Sequence, residues 1–342
     1  MRQADGGRDR PRCPTCGWTY YGKPALGAAA LIQENGRILL VRRAHEPYQG
    51  WWTLPAGYVE YEEDAAETAA REALEETGLL VLIEGVHGIF WGGGDPRGAA
   101  HLAVFYAKRL GGELVPADDA AEVAWFAPDE IPTEIAFEGT RKAIAAWLAS
   151  GAEERREPTL LQYAGGGPAP PILVYAVIEN PKGTVDRIAY DAERQTFSPT
   201  GEVFSAPLPI HYGWIPHTLS AGDGRELDVV VIGEGDAAVG GVLVVRPIGA
   251  LLRADADHKV VAVRADLPSA YATVTDVGER AELREMVEEL FRPRARLVGW
   301  AAAPEARRLI LETQRDWINS GGRSRKAAPR PTKPAAPDTS VV

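Results

Sequence analysis

Three glutamates define the chemistry this sequence can do. Glu72, Glu75 and Glu76 are spaced three and four positions apart, so in a helix all three carboxylates project from one face. On a solvated helix such neighbours repel by about 0.2–0.5 kcal/mol per pair. A hard divalent cation with oxygen ligands converts that repulsion into a binding site; Mg²⁺ suits it best, with Mn²⁺ as a substitute.

The local text supports the helix. Asp64 followed by Glu67 is a capping-box pair, and Gly78 stands where a helix end favours a left-handed residue. Ala66, Ala70, Ala73 and Thr77 fall roughly opposite the glutamates. Upstream the spacing continues: Gly57, five residues, Glu63, seven residues, then Arg71 and Glu72. Three glutamates alone read most simply as a solvated acidic face. Seven fixed identities (two Gly, four Glu, one Arg) would coincide by chance on the order of 10⁻⁷ per starting position.

The stretch from Gly57 to Leu79 resembles the signature of the Nudix hydrolase family, with Ala73 at a position usually held by Ile, Leu or Val. The flanking PALGAAALI, ILLVRRA, GWWTLPAGYVE and EVAWF extend the likeness. The resemblance implies Mg²⁺ held by Glu72, Glu75 and Glu76, with the Gly57 carbonyl as a further ligand, and Arg71 and Glu63 orienting loop and helix. It implies hydrolysis of a diphosphate linkage in a small nucleotide substrate. Glu76 is then the first candidate for general base and Glu122, just before VAWF, the second. Arg42 and Arg43 are candidates to meet phosphates, and Phe90 and Trp91 to stack a base.

A second set of acids lies downstream. IENPKGTVDRIAYD, HYGWIPHTL, DGRELDVVV, VRPIGALLRADADHKVVAV and VGW resemble, in order, the barrel-forming soluble inorganic pyrophosphatases. Matching positions are Glu179, Tyr212, Asp223, Asp228, Asp255, Asp257 and Lys259, which the resemblance implies contact metal or phosphate. Three positions depart from that pattern. Arg225 replaces the middle aspartate of the D-x-D-x-x-D motif, and Arg187 stands where a lysine is usual; Ala189 also replaces a glutamate. Because a lost base costs about 10²–10⁴-fold, weak or absent pyrophosphate hydrolysis is expected.

Cys13-Pro-Thr-Cys16-Gly is a knuckle turn with two of the four ligands that zinc needs, so a vestigial knuckle is expected over zinc shared with a histidine or a second subunit.

These sites require scaffolds. Strand-like runs at 28–33, 38–42, 81–90, 102–107 and 123–126 alternate with helical patterns at 64–76 and 140–149. They predict an α/β/α sandwich over 25–150. Residues 171–320 predict a small OB-like β-barrel with flanking helices, giving an α+β protein of two domains. Residues 1–24 read as a tail carrying the knuckle, 151–170 as a linker and 321–342 as a disordered tail.

Composition sets limits. With 45% hydrophobic and 25% charged residues, the chain has the balance of a soluble globular protein. A net charge of −11 argues against general nucleic-acid binding. No apolar run is long enough for a membrane span and no secretory signal opens the chain, so a cytoplasmic protein is expected. A fused pyrophosphatase favours a nucleoside triphosphate cut to monophosphate and pyrophosphate. The CPxCG turn, WTLPAG and DEIPTEIAF resemble instead the Nudix branch that includes ADP-ribose and FAD pyrophosphatases. An active bifunctional enzyme is the third reading. Members of both families often form homo-oligomers, which leaves assembly open.

Overall fold

The structure, a computed structural model, describes residues 2–5, 8–61, 63–93, 100–151, 166–191, 194–291 and 296–322. Most of the expected linker and C-terminal tail therefore lies outside the described residues. The N-terminal segment, expected as a tail, instead pairs β1 (Arg2–Asp5) with β2 (Arg8–Pro11). Backbone pairing of this kind needs no apolar side chains, which is why composition does not reveal it.

β3 (Ala25–Glu34) is suited to burial on both faces, since Gly27 to Ile32 are all buried. Successive side chains of a strand point oppositely. Ala28, Ala30 and Ile32 join Ala69, Ala70 and Ala73 of α1 (Ala65–Thr77). Ala29 and Leu31 join Ala143, Ile144 and Trp147 of α2 (Glu138–Ala149) on the other face. β4 (Arg37–Arg43) and β5 (Trp52–Thr53) lie to one side, with β9 (Ala120–Phe126) on β4. To the other side β8 (Ala100–Gly112) runs parallel to β3, and β7 (Leu79–Gly92) runs antiparallel to β8. β6 (Ala56–Tyr58) pairs with β3 and sets Gly57 opposite Ala28. The α/β/α sandwich is as the sequence predicts.

The second domain closes a five-stranded barrel. β10 (Val174–Asn180), β13 (His211–Ile215), β14 (Leu227–Ile232), β16 (Lys259–Arg264) and β15 (Val242–Arg253) follow in order, and β15 pairs back to β10. Val229, Val231, Val260 and Ala262 share a cluster with Leu309 and Ile310 of α5 (Ala303–Asn319). The alternate residues Val230, Ile232, Val261 and Val263 pack with Val277 of α3 (Val274–Glu279) and with Val287 and Phe291 of α4 (Ala281–Phe291). β17 (Leu297–Ala302) adds to β15, and β11 (Asp186–Asp191) with β12 (Thr196–Val203) forms a separate hairpin. No helix among the described residues is long and apolar enough to cross a membrane.

Candidate active site

α1 begins and ends where its sequence indicates. Asp64 Oδ1 accepts from Ala66 N at 2.8 Å, and Glu67 Oε2 accepts from Asp64 N at 3.4 Å. Gly78 closes the helix at φ 72°. A Cβ there would stand 2.3 Å from the Glu113 carbonyl oxygen, so only glycine fits.

Arg71 organises the acids. Nε and Nη2 donate to Glu63 at 2.7 and 2.9 Å, and Nη1 donates to Glu72 and Glu75 at 2.7 and 2.8 Å. Burial pushes the Glu63 carboxyl up, but hydrogen bonds from Arg71 and Thr68 outweigh it and hold the group below its ordinary range. Burial raises Glu72, with Arg71 offsetting part of the shift. Glu76 is only 4% exposed. Its Oε2 accepts from Ala56 N at 3.1 Å. Burial, then the Glu72 charge, push it up to about 8.

These residues fit a hard divalent cation. All donors are oxygens, and Glu76 is buried without enough positive charge to hold its proton affinity down. Gly57 packs so closely on Glu72 that a Cβ would lie 1.9 Å from Oε1. Among the described residues no three acid, His or Cys side chains close into a metal cage.

A cleft of about 450 Å³ opens from Glu72, Glu75 and Glu76. Arg43 lines it; Arg42 does not. Neighbours on β4 point oppositely, and Arg42 Nη1 meets Glu122 across the strand pair at 3.2 Å. Neither Glu122 nor Arg42 is among the residues that line the cleft. Trp91 also lies outside the lining and instead packs its ring 5.2 Å from His101. Phe90 packs against the core beneath α2. The cleft wall is completed by residues that sequence reasoning missed, His101, Asp118, Asp119 and Phe137. Phe137 sits at φ 58° ahead of α2, beneath the Arg43 guanidinium at 5.0 Å.

The second domain brings Tyr212, Asp228, Asp257 and Lys259 together. The Tyr212 hydroxyl donates to Asp228 at 2.5 Å, and Lys259, itself buried, donates to both Asp228 and Asp257. Arg253, unsuspected from sequence, is 4% exposed and bonds both Asp255 oxygens at 3.2 and 2.6 Å, and it also meets Asp257 at 3.3 Å. Arg187 pairs with Glu202 at 3.1 Å. Asp223 accepts from Arg225 N at 3.1 Å and is raised by burial. Glu179 accepts from Tyr190 N at 2.9 Å and burial pushes it up to about 7.

Cys13 and Cys16 occupy a turn in which Gly17 N bonds the Cys13 carbonyl at 3.0 Å. Both are free thiols, and among the described residues no third ligand is grouped with them.

Two family models match the chain, a NUDIX domain over residues 23–148 and inorganic pyrophosphatase over 176–318. The first half is 36% identical over 122 residues to an ADP-ribose pyrophosphatase of Methanocaldococcus jannaschii, covering 35% of this chain and 72% of that protein. The second is 32% identical over 162 residues to an inorganic pyrophosphatase of Mesorhizobium japonicum, covering 43% of this chain and 90% of that protein. A solved NUDIX hydrolase from Nitrosomonas europaea is similar at TM-score 0.39 and 30% identity, over 44% of this chain and 85% of that one. The class these features define is a hydrolase of phosphorus-containing acid anhydrides. The chain belongs to the Nudix family through its first domain and to the inorganic pyrophosphatase family through its second.

Proposed function

We propose that the first domain hydrolyses the diphosphate bridge of a nucleoside-diphosphate sugar of the ADP-ribose type, with Mg²⁺ held by Glu72, Glu75, Glu76 and the Gly57 carbonyl. The observation that carries this reading is Glu76, buried against the Ala56 backbone on the same cleft as Glu72 and Glu75. Mg²⁺ supplies neutralisation of the diphosphate oxygens and a lowered pKa for attacking water. Glu76, buried at the cleft beside Glu72 and Glu75, is placed to accept the proton that water loses. Arg43 offers a cation to the phosphates, and Phe137 and His101 line the same cleft. The relative named an ADP-ribose pyrophosphatase supports the substrate class.

Cleavage of a nucleoside triphosphate is the second reading, favoured by the fused pyrophosphatase-family domain. It is weakened because the buried Arg253 pairs with both Asp255 and Asp257 from within the domain. Arg225 further puts a cation in the motif between Asp223 and Asp228. Weak or lost pyrophosphate hydrolysis follows.

Incubating the full chain and Mg²⁺ with ADP-ribose, FAD and dNTPs, and resolving the products, tests this. AMP plus ribose phosphate from ADP-ribose is the expected result. Pyrophosphate from dNTPs, without ADP-ribose cleavage, would favour the triphosphate reading, and phosphate in its place would indicate a bifunctional enzyme.

A further inference from the structure

Helix α1 presents three stripes to three surroundings. At about 100° per residue, Ala66, Ala69, Ala70 and Ala73 form the stripe packed into the first domain's core. Glu72, Glu75 and Glu76 form a second stripe roughly a third of a turn away. Glu67, Leu74 and Gly78, seven and four residues apart, form a third, and the second domain lies against it. Leu74 packs on the cluster of Leu80, Leu82, Tyr175 and Val244, which spans both domains. Leu74 and Gly78 also share a cavity of about 320 Å³ with Arg246 and Arg264.

Two hydrogen bonds fasten this stripe. Gly166 N donates to Glu67 Oε1 at 3.1 Å, and the Gly166 carbonyl accepts from Tyr175 N at 3.1 Å. A Cβ on Gly166 would lie 2.2 Å from Gln314 Nε2 of α5, so this glycine is a close junction between the metal-side helix and the barrel. Tyr175, fully buried, donates its hydroxyl to the Val81 carbonyl at 2.6 Å, three residues beyond the Gly78 cap. Gly166, in the segment that leads into the second domain, thus holds the first turn of α1, and Tyr175 holds β7 just beyond the helix's last turn.

The helix needs such support. On its own core it presents alanines, including Ala73, and an alanine methyl buries far less area than leucine or isoleucine.

We propose that the second domain is a positioning platform for the metal-binding helix, with Tyr175, Glu67 and Leu74 setting the angle at which α1 presents Glu72, Glu75 and Glu76. This rests on the Nudix reading above. Tyr175 and Leu74 are positioning residues; neither touches substrate.

Calorimetric titration of Mn²⁺ into the full chain tests it, comparing wild type, Tyr175→Phe, Leu74→Ala and Glu76→Gln, each checked by circular dichroism. Wild type is expected to show binding that Glu76→Gln removes. Tyr175→Phe and Leu74→Ala should bind about tenfold more weakly with an unchanged spectrum, and raised Mg²⁺ should restore their turnover. If Leu74→Ala unfolds, Tyr175→Phe, which deletes one oxygen, decides the question. Wild-type Mn²⁺ affinity in the positioning variants would overturn the platform and leave the Nudix reading standing. Identical titrations of wild type and Glu76→Gln would overturn both.

Discussion

Arg71 meets Glu63 through two N–H···O bonds, Nε to Oε1 at 2.7 Å and Nη2 to Oε2 at 2.9 Å, while its remaining nitrogen reaches Glu72 and Glu75. One guanidinium thus joins the loop before α1 to two acids on the helix. Its side chain is 22% exposed and that of Glu63 18%, so water screens the pair little. Arg71→Ala should lower stability by about 2 kcal/mol, read as a shift in the urea midpoint. Arg71→Lys should recover only part of it, because an ammonium cannot form the two-pronged contact. An unshifted midpoint in Arg71→Ala contradicts this.

Gly57 leaves no space for a side chain beside Glu72. Gly57→Ala should displace that carboxylate and reduce kcat/KM about 100-fold, with a circular dichroism spectrum like that of wild type. Retained kcat/KM would show that the close approach is not needed.

In the second domain His211 is held neutral by its partners. Lys182 N donates to Nδ1 at 2.9 Å, leaving Nε2 to donate to the Gly235 carbonyl at 3.0 Å. Burial holds the imidazole below its usual pKa. A depressed folded pKa means that this stabilisation is complete above the unfolded value near 6.5, and that it is lost as pH falls through the folded pKa. Urea midpoints between pH 7.5 and pH 5 should therefore drop more for wild type than for His211→Asn. Equal drops would exclude His211 as the source.

Arg225 and the Arg253 ion pairs predict a poor pyrophosphatase. Phosphate release from Mg-pyrophosphate by the full chain should run roughly 10²–10⁴-fold below ordinary enzyme rates, and Arg225→Asp should raise it. Ordinary turnover by wild type would overturn the degenerate reading.

The sequence made the local parts legible. Glu63, Arg71 and the three helix glutamates were readable because one capped helix and its leading loop carry them all, at spacings a helix enforces. Arg42 and Arg43 were not separable until β4 had a direction, since adjacent strand residues differ only in the face they take. His101 and Phe137 come to the cleft from β8 and the start of α2, distances in sequence that no spacing rule bridges. Hairpin β11–β12 escaped notice because β12 is mostly exposed and lacks apolar alternation. Arg253 sits amid an acidic run that directs attention to its aspartates, and its burial appears only once β15 is placed.

Hydrolysis of ADP-ribose in Mg²⁺ by wild type and by Glu76→Gln is the most direct test of the central claim, that the α1 carboxylates run the first domain's chemistry. The account predicts cleavage by wild type and a fall in kcat of about 10²–10⁴-fold in the variant. Equal rates for the two proteins would contradict it.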